Sequence, residues 1–294
     1  MVLGMIVGCG SLSSNKLKES EVKVMTTFYP MYDFTKNVVG KEGSVELMIP
    51  ATVEPHEFEP SVKDMANLTE MSVFIYNSKN LETWVSQVEK TIDSKNTEMI
   101  NASKGINFLE SSHHEEEHHY KGKDPHVWLS PRLAMKEVKN ICEGLVKKFP
   151  NKKKVFIKNA QDYLKRLKQL DADYKTAFQN AHARKFVTSH AAFSYLAKDY
   201  DLEQIAITGV SPEEEPTSAR LVELKQYVEK EKIQVIYFEE TVSSKIAKTL
   251  AKEAGVAIEV LSPLEGLPES EIKAGKDYLS VMRENLKSLQ RTIK

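Results

Sequence analysis

Short apolar runs alternate with amphipathic stretches over the first part of the chain. Val22 to Thr27 forms the first run and leads through Pro30 into Met31, Phe34 and Val38, which recur on one helical face. Val45 to Ile49 forms a second run, closed by Pro50. Val62 to Leu68 has helical spacing, and Val73 to Tyr76 forms a third strand. Strands separated by helices at this interval predict a parallel sheet with crossover helices. The segment ESSHHEEEHHYKGKD, residues 110–124, is polar and of low complexity, and it breaks the alternation. A helix is predicted from Pro131 to Lys148, ended by Pro150-Asn151.

Residues 152–181 contain no glycine and no proline. Phe156, Ala160, Tyr163, Leu167, Leu170, Tyr174 and Ala177 follow one another at spacings of 4, 3, 4, 3, 4 and 3. That stripe predicts one helix of about 28 residues, ~42 Å long. A rigid connector between two domains fits it. An antiparallel hairpin with the shorter helix 131–148 is the other reading.

Alternation then restarts. Phe186-Val187, Ile205 to Ile207, Val235 to Phe238 and Ala257 to Leu261 read as strands. Leu221 to Glu231, Ser244 to Ala254 and Ile272 to Leu289 read as helices. The restart echoes the beginning. KVMTT at Lys23–Thr27 matches KFVTS at Lys185–Ser189, and VEPHEFEP at Val53–Pro60 parallels VSPEEEP at Val210–Pro216. VFIYN at Val73–Asn77 parallels VIYFE at Val235–Glu239. The expectation is an α/β fold of two similar lobes with mainly parallel sheets, bridged by one long rigid helix. The lobes span residues 22–151 and 182–294, with the bridge at 152–181. A cleft between two such lobes is where a ligand site belongs.

Composition narrows the function classes. Forty-one Lys+Arg against 42 Asp+Glu give a formal charge of -1, which provides no footing for nucleic acid. No window approaches the ~20 apolar residues that a membrane-spanning helix needs. Only two cysteines occur, Cys9 and Cys142, which excludes a disulfide scaffold and a cysteine-rich zinc module. Cys142 falls in the helical pattern of Val138, Ile141 and Leu145 and reads as a small buried hydrophobe. The start, MVLGMIVGCG, is too short for a full signal peptide and lacks its basic residues. Ile6-Val7-Gly8-Cys9 resembles the end of a bacterial lipoprotein signal, whose cysteine receives the lipid; an apolar scrap is the alternative. Residues 1–21 then comprise a signal remnant and a polar tether.

Eight histidines carry the candidate chemistry. His113, His114, His118 and His119 sit in the polar loop. His114-Glu-Glu-Glu-His118 fits the H-E-x-x-H pattern, but the segment has no apolar face to pack as a protease helix requires. A loop that captures metal weakly is the better functional reading, and a solvated loop without a role stays open. His56, His126 and His190 differ. Each sits in a turn or at a strand end, in VEPHEFEP, DPHVWLSP and TSHAAF. Singly, a turn histidine is more often structural. Together, three imidazoles at rigid positions suit a zinc-type site. Glu265 in LSPLEGL is the best fourth donor, although spacing alone leaves it equally an exposed turn carboxylate.

The segments TTFYPMYDFTKNV, VEPHEFEPS, DPHVWLSP, TSHAAFSYLAKDY, EEEPT, IYFEE and LSPLEGL resemble the metal-binding lipoproteins of bacterial zinc and manganese ABC importers, the cluster A-I solute-binding proteins. The resemblance runs from Val22 to the C-terminus and is strongest to the Gram-positive zinc branch. It implies two α/β lobes on one long helix and limited lobe closure. It also implies Zn²⁺ held by His56, His126, His190 and Glu265, and delivery to an ABC permease. The manganese branch has a glutamate where His190 stands. Longer members carry a second zinc-binding domain, for which this chain ends too soon. The expected protein is not an enzyme. It is a monomer anchored through a lipid on Cys9 to the outer face of the cell membrane. Manganese or broader divalent binding, an adhesin role and a zinc hydrolase are the alternatives.

Overall fold

Strand β1 (Val22–Thr26) pairs in parallel with β2 (Gly43–Leu47) on one side and β3 (Val73–Tyr76) on the other. β4 (Glu98–Asn101) adds to β3, giving the order β2-β1-β3-β4. The computed structural model describes residues 21–111, 122–239 and 244–294. Helices α1 (Tyr29–Val39), α2 (Val62–Thr69) and α3 (Val85–Thr91) complete the crossovers. Proline at the first turn of α1 and a Ser61/Asp64 capping box on α2 start two of them.

The second lobe repeats the plan. Strands β5 (Lys185–Thr188), β6 (Glu203–Ala206), β7 (Val235–Phe238) and β8 (Ala257–Val260) form a parallel sheet in the order β6-β5-β7-β8. Helices α6 (Ser194–Asp199), α7 (Ser218–Lys230) and α8 (Lys245–Ala254) connect them. β1 and β5 hold the same sheet position, as do β3 and β7, so the paired sequence segments fall on equivalent strands.

Between the lobes run α4 (Pro131–Lys148) and α5 (Lys153–Phe178). Both readings of the long helix apply. α5 packs along α4 as a hairpin, with Arg132 near the start of α4 bridged to Asp171 near the end of α5 at 3.0 Å. It also joins lobe two, where the Tyr174 hydroxyl donates to the Met282 carbonyl at 2.7 Å. Phe156, Ala160, Tyr163, Leu167, Leu170 and Tyr174 are buried as the stripe predicts. Phe178 rather than Ala177 takes the last buried place.

The single helix expected at Ile272 to Leu289 is two helices, α9 (Glu269–Lys273) and α10 (Tyr278–Leu289). Gly275, at φ +92°, breaks the first, and Asp277 caps the second with Ser280. β4, α3 and α6 carried too short an apolar pattern to be anticipated. One continuous apolar core runs from Val22 through α5 to Ile293 and crosses both lobes. Such a shared, close-packed core resists wide hinge opening.

Candidate metal centre

The candidate donors lie beyond the carboxyl ends of strands, where open α/β sheets place their ligand sites. His56 follows β2, His126 follows β4, His190 follows β5 and Glu265 follows β8. Two donors therefore come from each lobe. His126 and His190 are fully buried, Glu265 is nearly so, and the His56 side chain is 9% exposed.

The structure brings all four together. His126 Nε2 lies 3.1 Å from His56 Nε2, 3.3 Å from His190 Nε2 and 3.2 Å from Glu265 Oε1. Glu265 Oε1 lies 3.5 Å from His56 Nε2 and 3.3 Å from His190 Nε2. One donor atom from each of the four falls within 4.8 Å of all the others. A regular tetrahedron with zinc bonds of ~2.05 Å has edges of ~3.3 Å. Five of the six edges match that spacing, so a zinc-sized ion fits the donor set. Glu265 Oε2 is buried with no hydrogen-bond partner, as expected of a carboxylate shaped for a cation.

The opposite ring nitrogens of His126 and His190 are held by carboxylates that sequence reading did not single out. Asp124 Oδ1 lies 2.8 Å from His126 Nδ1 and accepts from the His126 backbone N–H at 2.9 Å. Glu239 Oε1 lies 2.6 Å from His190 Nδ1. Glu54 Oε1 accepts from the His56 backbone N–H at 3.2 Å. A carboxylate behind a ligating imidazole fixes the tautomer that points Nε2 inward. Asp124 stands two residues before His126 in DPH, and Glu239 follows β7 in IYFEE. What the sequence withheld was the pairing of residues 49 positions apart.

Burial works against charging His126 and His190. The Asp124 and Glu265 bonds outweigh it at His126, and the Glu239 and Glu265 charges outweigh it at His190, so both rings are raised from the ordinary histidine value. His56 is lowered, chiefly by burial. Glu265 is held well below the ordinary carboxylate range despite its burial, first by the His190 charge and then by bonds to the three rings.

Cys9, the tether through residue 20, and His113, His114, His118 and His119 lie outside the described residues. The ends of the histidine loop are described: Ser111 N donates to the Gly122 carbonyl at 3.0 Å, and Glu110 bridges to Lys123. Cys142 is buried, as its helical position implied.

Residues 24–292 match the family model for the periplasmic zinc-uptake complex component A, ZnuA. Zinc-binding protein AdcA of Streptococcus pyogenes is 47% identical over 292 residues, covering 94% of this chain and 57% of that protein. The high-affinity zinc uptake system protein ZnuA of Bacillus subtilis is 45% identical over 298 residues, covering 97% and 93%. The chain thus spans little more than half the length of the AdcA relatives it matches. The Zn(II)-bound ZnuA-like domain of Streptococcus pneumoniae AdcA superposes with a TM-score of 0.82 at 47% identity, covering 93% of this chain and 99% of that one. The laminin-binding protein Lmb of Streptococcus agalactiae, described as having adhesin and metal transporting activity, superposes at 0.84 with 35% identity, covering 93% and 100%.

Proposed function

Because the chain belongs to the periplasmic zinc-uptake component A family, we propose that it captures Zn²⁺ outside the cytoplasm and delivers it to the membrane permease of an ABC importer. The observation that carries this is the convergence of His56, His126, His190 and Glu265 from both lobes into one buried, tetrahedrally spaced donor set. Three imidazoles and one carboxylate suit zinc; hard cations such as manganese favour more oxygen donors.

The ion is cargo in this reading, and the protein is not an enzyme. Catalytic zinc sites present three protein ligands and a water, whereas four protein donors complete the coordination sphere. Glu265 Oε1 stands as close to the rings as they stand to one another, which suits a ligand better than a base acting on a bound water. The protein acts as a monomer tethered by a lipid on Cys9. Support for the anchor comes from the lipoprotein name of the Streptococcus pneumoniae AdcA relative. An additional adhesive role draws support from the likeness to Lmb.

Competition of Zn²⁺ and Mn²⁺ for the purified protein, followed by calorimetry and metal analysis, tests the proposal. One zinc ion per chain, retained against excess Mn²⁺, is expected. Preferential Mn²⁺ binding would refute it.

A further inference from the structure

Asn77, just past the carboxyl end of β3, has its polar groups fully engaged. Its backbone N–H donates to Glu82 Oε1 at 2.9 Å, and its carbonyl accepts from Ser103 N at 3.1 Å. Its side-chain Nδ2 donates to the Pro125 carbonyl at 2.9 Å, and its Oδ1 lies 2.5 Å from Ser103 Oγ. The amide orientation follows from chemistry, because the Pro125 carbonyl can only accept and so must face the NH₂ group. Oδ1 therefore faces Ser103 and accepts the one proton that the hydroxyl has to give.

Ser103 Oγ has a second neighbour, Glu137 Oε1 on α4, at 3.2 Å. With its proton committed to Asn77, Ser103 enters this contact only as an acceptor, and the hydrogen must come from Glu137. Glu137 is fully buried and its Oε2 has no hydrogen-bond partner. A neutral acid fits such surroundings; a carboxylate there would lack any compensating donor. Burial pushes this carboxyl up to about 8, and the Glu82 charge adds to the shift. Glu82 contrasts with it, accepting from Thr27 Oγ1 at 2.6 Å and from the N–H groups of Asn77 and Ser78 at 2.9 Å each.

The chain of bonds runs from α4 to the Asp124-Pro125-His126 segment. Its last link holds the carbonyl of the residue just before His126. We propose that Glu137, as a neutral acid, is a positioning residue for zinc binding: through Ser103 and Asn77 it sets the segment that carries His126. The inference rests on His126 being a zinc ligand. Glu137 touches neither the ion nor any proposed ligand, so its influence passes wholly through the relay.

Zinc competition against a chromophoric chelator, with thermal melting in parallel, tests this on the full chain. Ser103→Ala removes the middle link with little change in volume and is expected to weaken zinc binding about tenfold, the scale of outer-shell effects. Glu137→Leu keeps apolar bulk, loses the donor and is expected to match it. Glu137→Gln keeps an N–H donor toward Ser103 and is expected to bind at the wild-type level. In an Asn77→Ala background, Glu137→Leu should cost no further affinity, because the two act through one path.

Wild-type affinity in Ser103→Ala would overturn the proposal, and so would a glutamine variant as weak as the leucine variant. A lower melting temperature with unchanged zinc affinity in Glu137→Leu would reduce Glu137 to a core residue. Ser103→Ala decides the matter if the leucine variant does not fold. His126→Ala separates the two levels. If it too keeps wild-type affinity, the ligand reading fails; if it alone loses affinity, only the relay fails.

Discussion

The indole Nε1 of Trp128 donates a 2.8 Å hydrogen bond to the Pro263 carbonyl. Trp128 follows His126 by two residues, and Pro263 precedes Glu265 by two. One bond therefore clamps the site segment of lobe one to that of lobe two. Trp128 is fully buried, with Phe28 edge-on at 4.7 Å and the Tyr278 hydroxyl donating to its carbonyl at 2.6 Å. Trp128→Phe leaves an aromatic ring and removes the donor, stranding a buried carbonyl at a cost of about 1–3 kcal/mol. A lower melting temperature and weaker zinc binding are expected. Zinc affinity at the wild-type level would show that the clamp does not set the donors.

Gly266 makes a second contact between the lobes. A Cβ at this position would lie 2.5 Å from the Ala51 carbonyl oxygen and 2.9 Å from Ala51 Cα, and backbone does not yield as a flexible side chain does. Gly266→Val should wedge the Glu265 loop away from the His56 loop. Zinc titration should then show a loss of roughly tenfold or more, the scale of losing a donor's support. A valine variant that binds normally would mean the two loops move apart without disturbing the donors.

Much of this arrangement was legible in the sequence. The alternation of strands and helices, the long stripe from Phe156 to Tyr174 and the internal echoes gave the two lobes and their bridge. His56, His126 and His190 stood out because prolines and strand ends fixed their segments. Glu265 did not stand out to the same degree, since a turn acid is exposed more often than buried. Its burial depends on Gly266 resting on Ala51, a contact that spans 215 residues of chain. Glu239 and Glu137 were missed for the same reason. A buried acid within an apolar pattern reveals itself only when its distant partner is known. The break at Gly275 was hidden because Ile272 continues the apolar spacing of α10, while a left-handed glycine ends the turn.

Zinc binding should release protons. His126 and His190 are raised in the metal-free protein, which favours the protonated rings that the ion must displace, whereas Glu265 is held low. Apparent affinity should therefore fall as the pH falls. Calorimetry in two buffers of different ionisation enthalpy should report net proton release on zinc binding. No proton release would contradict the upward shifts of His126 and His190. Without metal, the stability that His190 contributes is present below ~6.5 and is lost as pH rises through its raised folded value. The contribution of Glu265 is present above ~4.3 and is lost as pH falls through its lowered value.

Asp33 joins three elements. Its Oδ1 accepts from the Tyr163 hydroxyl of α5 at 2.6 Å, and its Oδ2 lies 3.4 Å from both the Tyr29 hydroxyl and the Tyr278 N–H at the start of α10. Burial raises this carboxyl to about 6, partly offset by the Tyr163 bond. Its contribution to stability is complete below ~3.9 and is lost as pH rises through about 6. Asp33→Asn cannot ionise. The melting temperature of the wild type relative to this variant should fall between pH 4 and pH 7. A constant difference across that range would remove Asp33 from the pH dependence.

Deleting residues 113–119 should leave the affinity of the tight site unchanged, because none of its donors comes from them. The Ser111–Gly122 bond closes the base of the segment independently. Chelator competition on the deletion variant is the check. Loss of tight binding would mean that the donors are misassigned.

On the proposed reading, His56, His126, His190 and Glu265 hold one zinc ion between the lobes. Crystallography of the zinc-loaded protein, with anomalous scattering recorded on both sides of the zinc edge, tests it directly. One strong zinc peak is expected, bound by the three Nε2 atoms at ~2.0–2.1 Å and by Glu265 oxygen at ~2.0–2.2 Å, with no water in the fourth position. A peak elsewhere, or a water standing where Glu265 should bind, would contradict it.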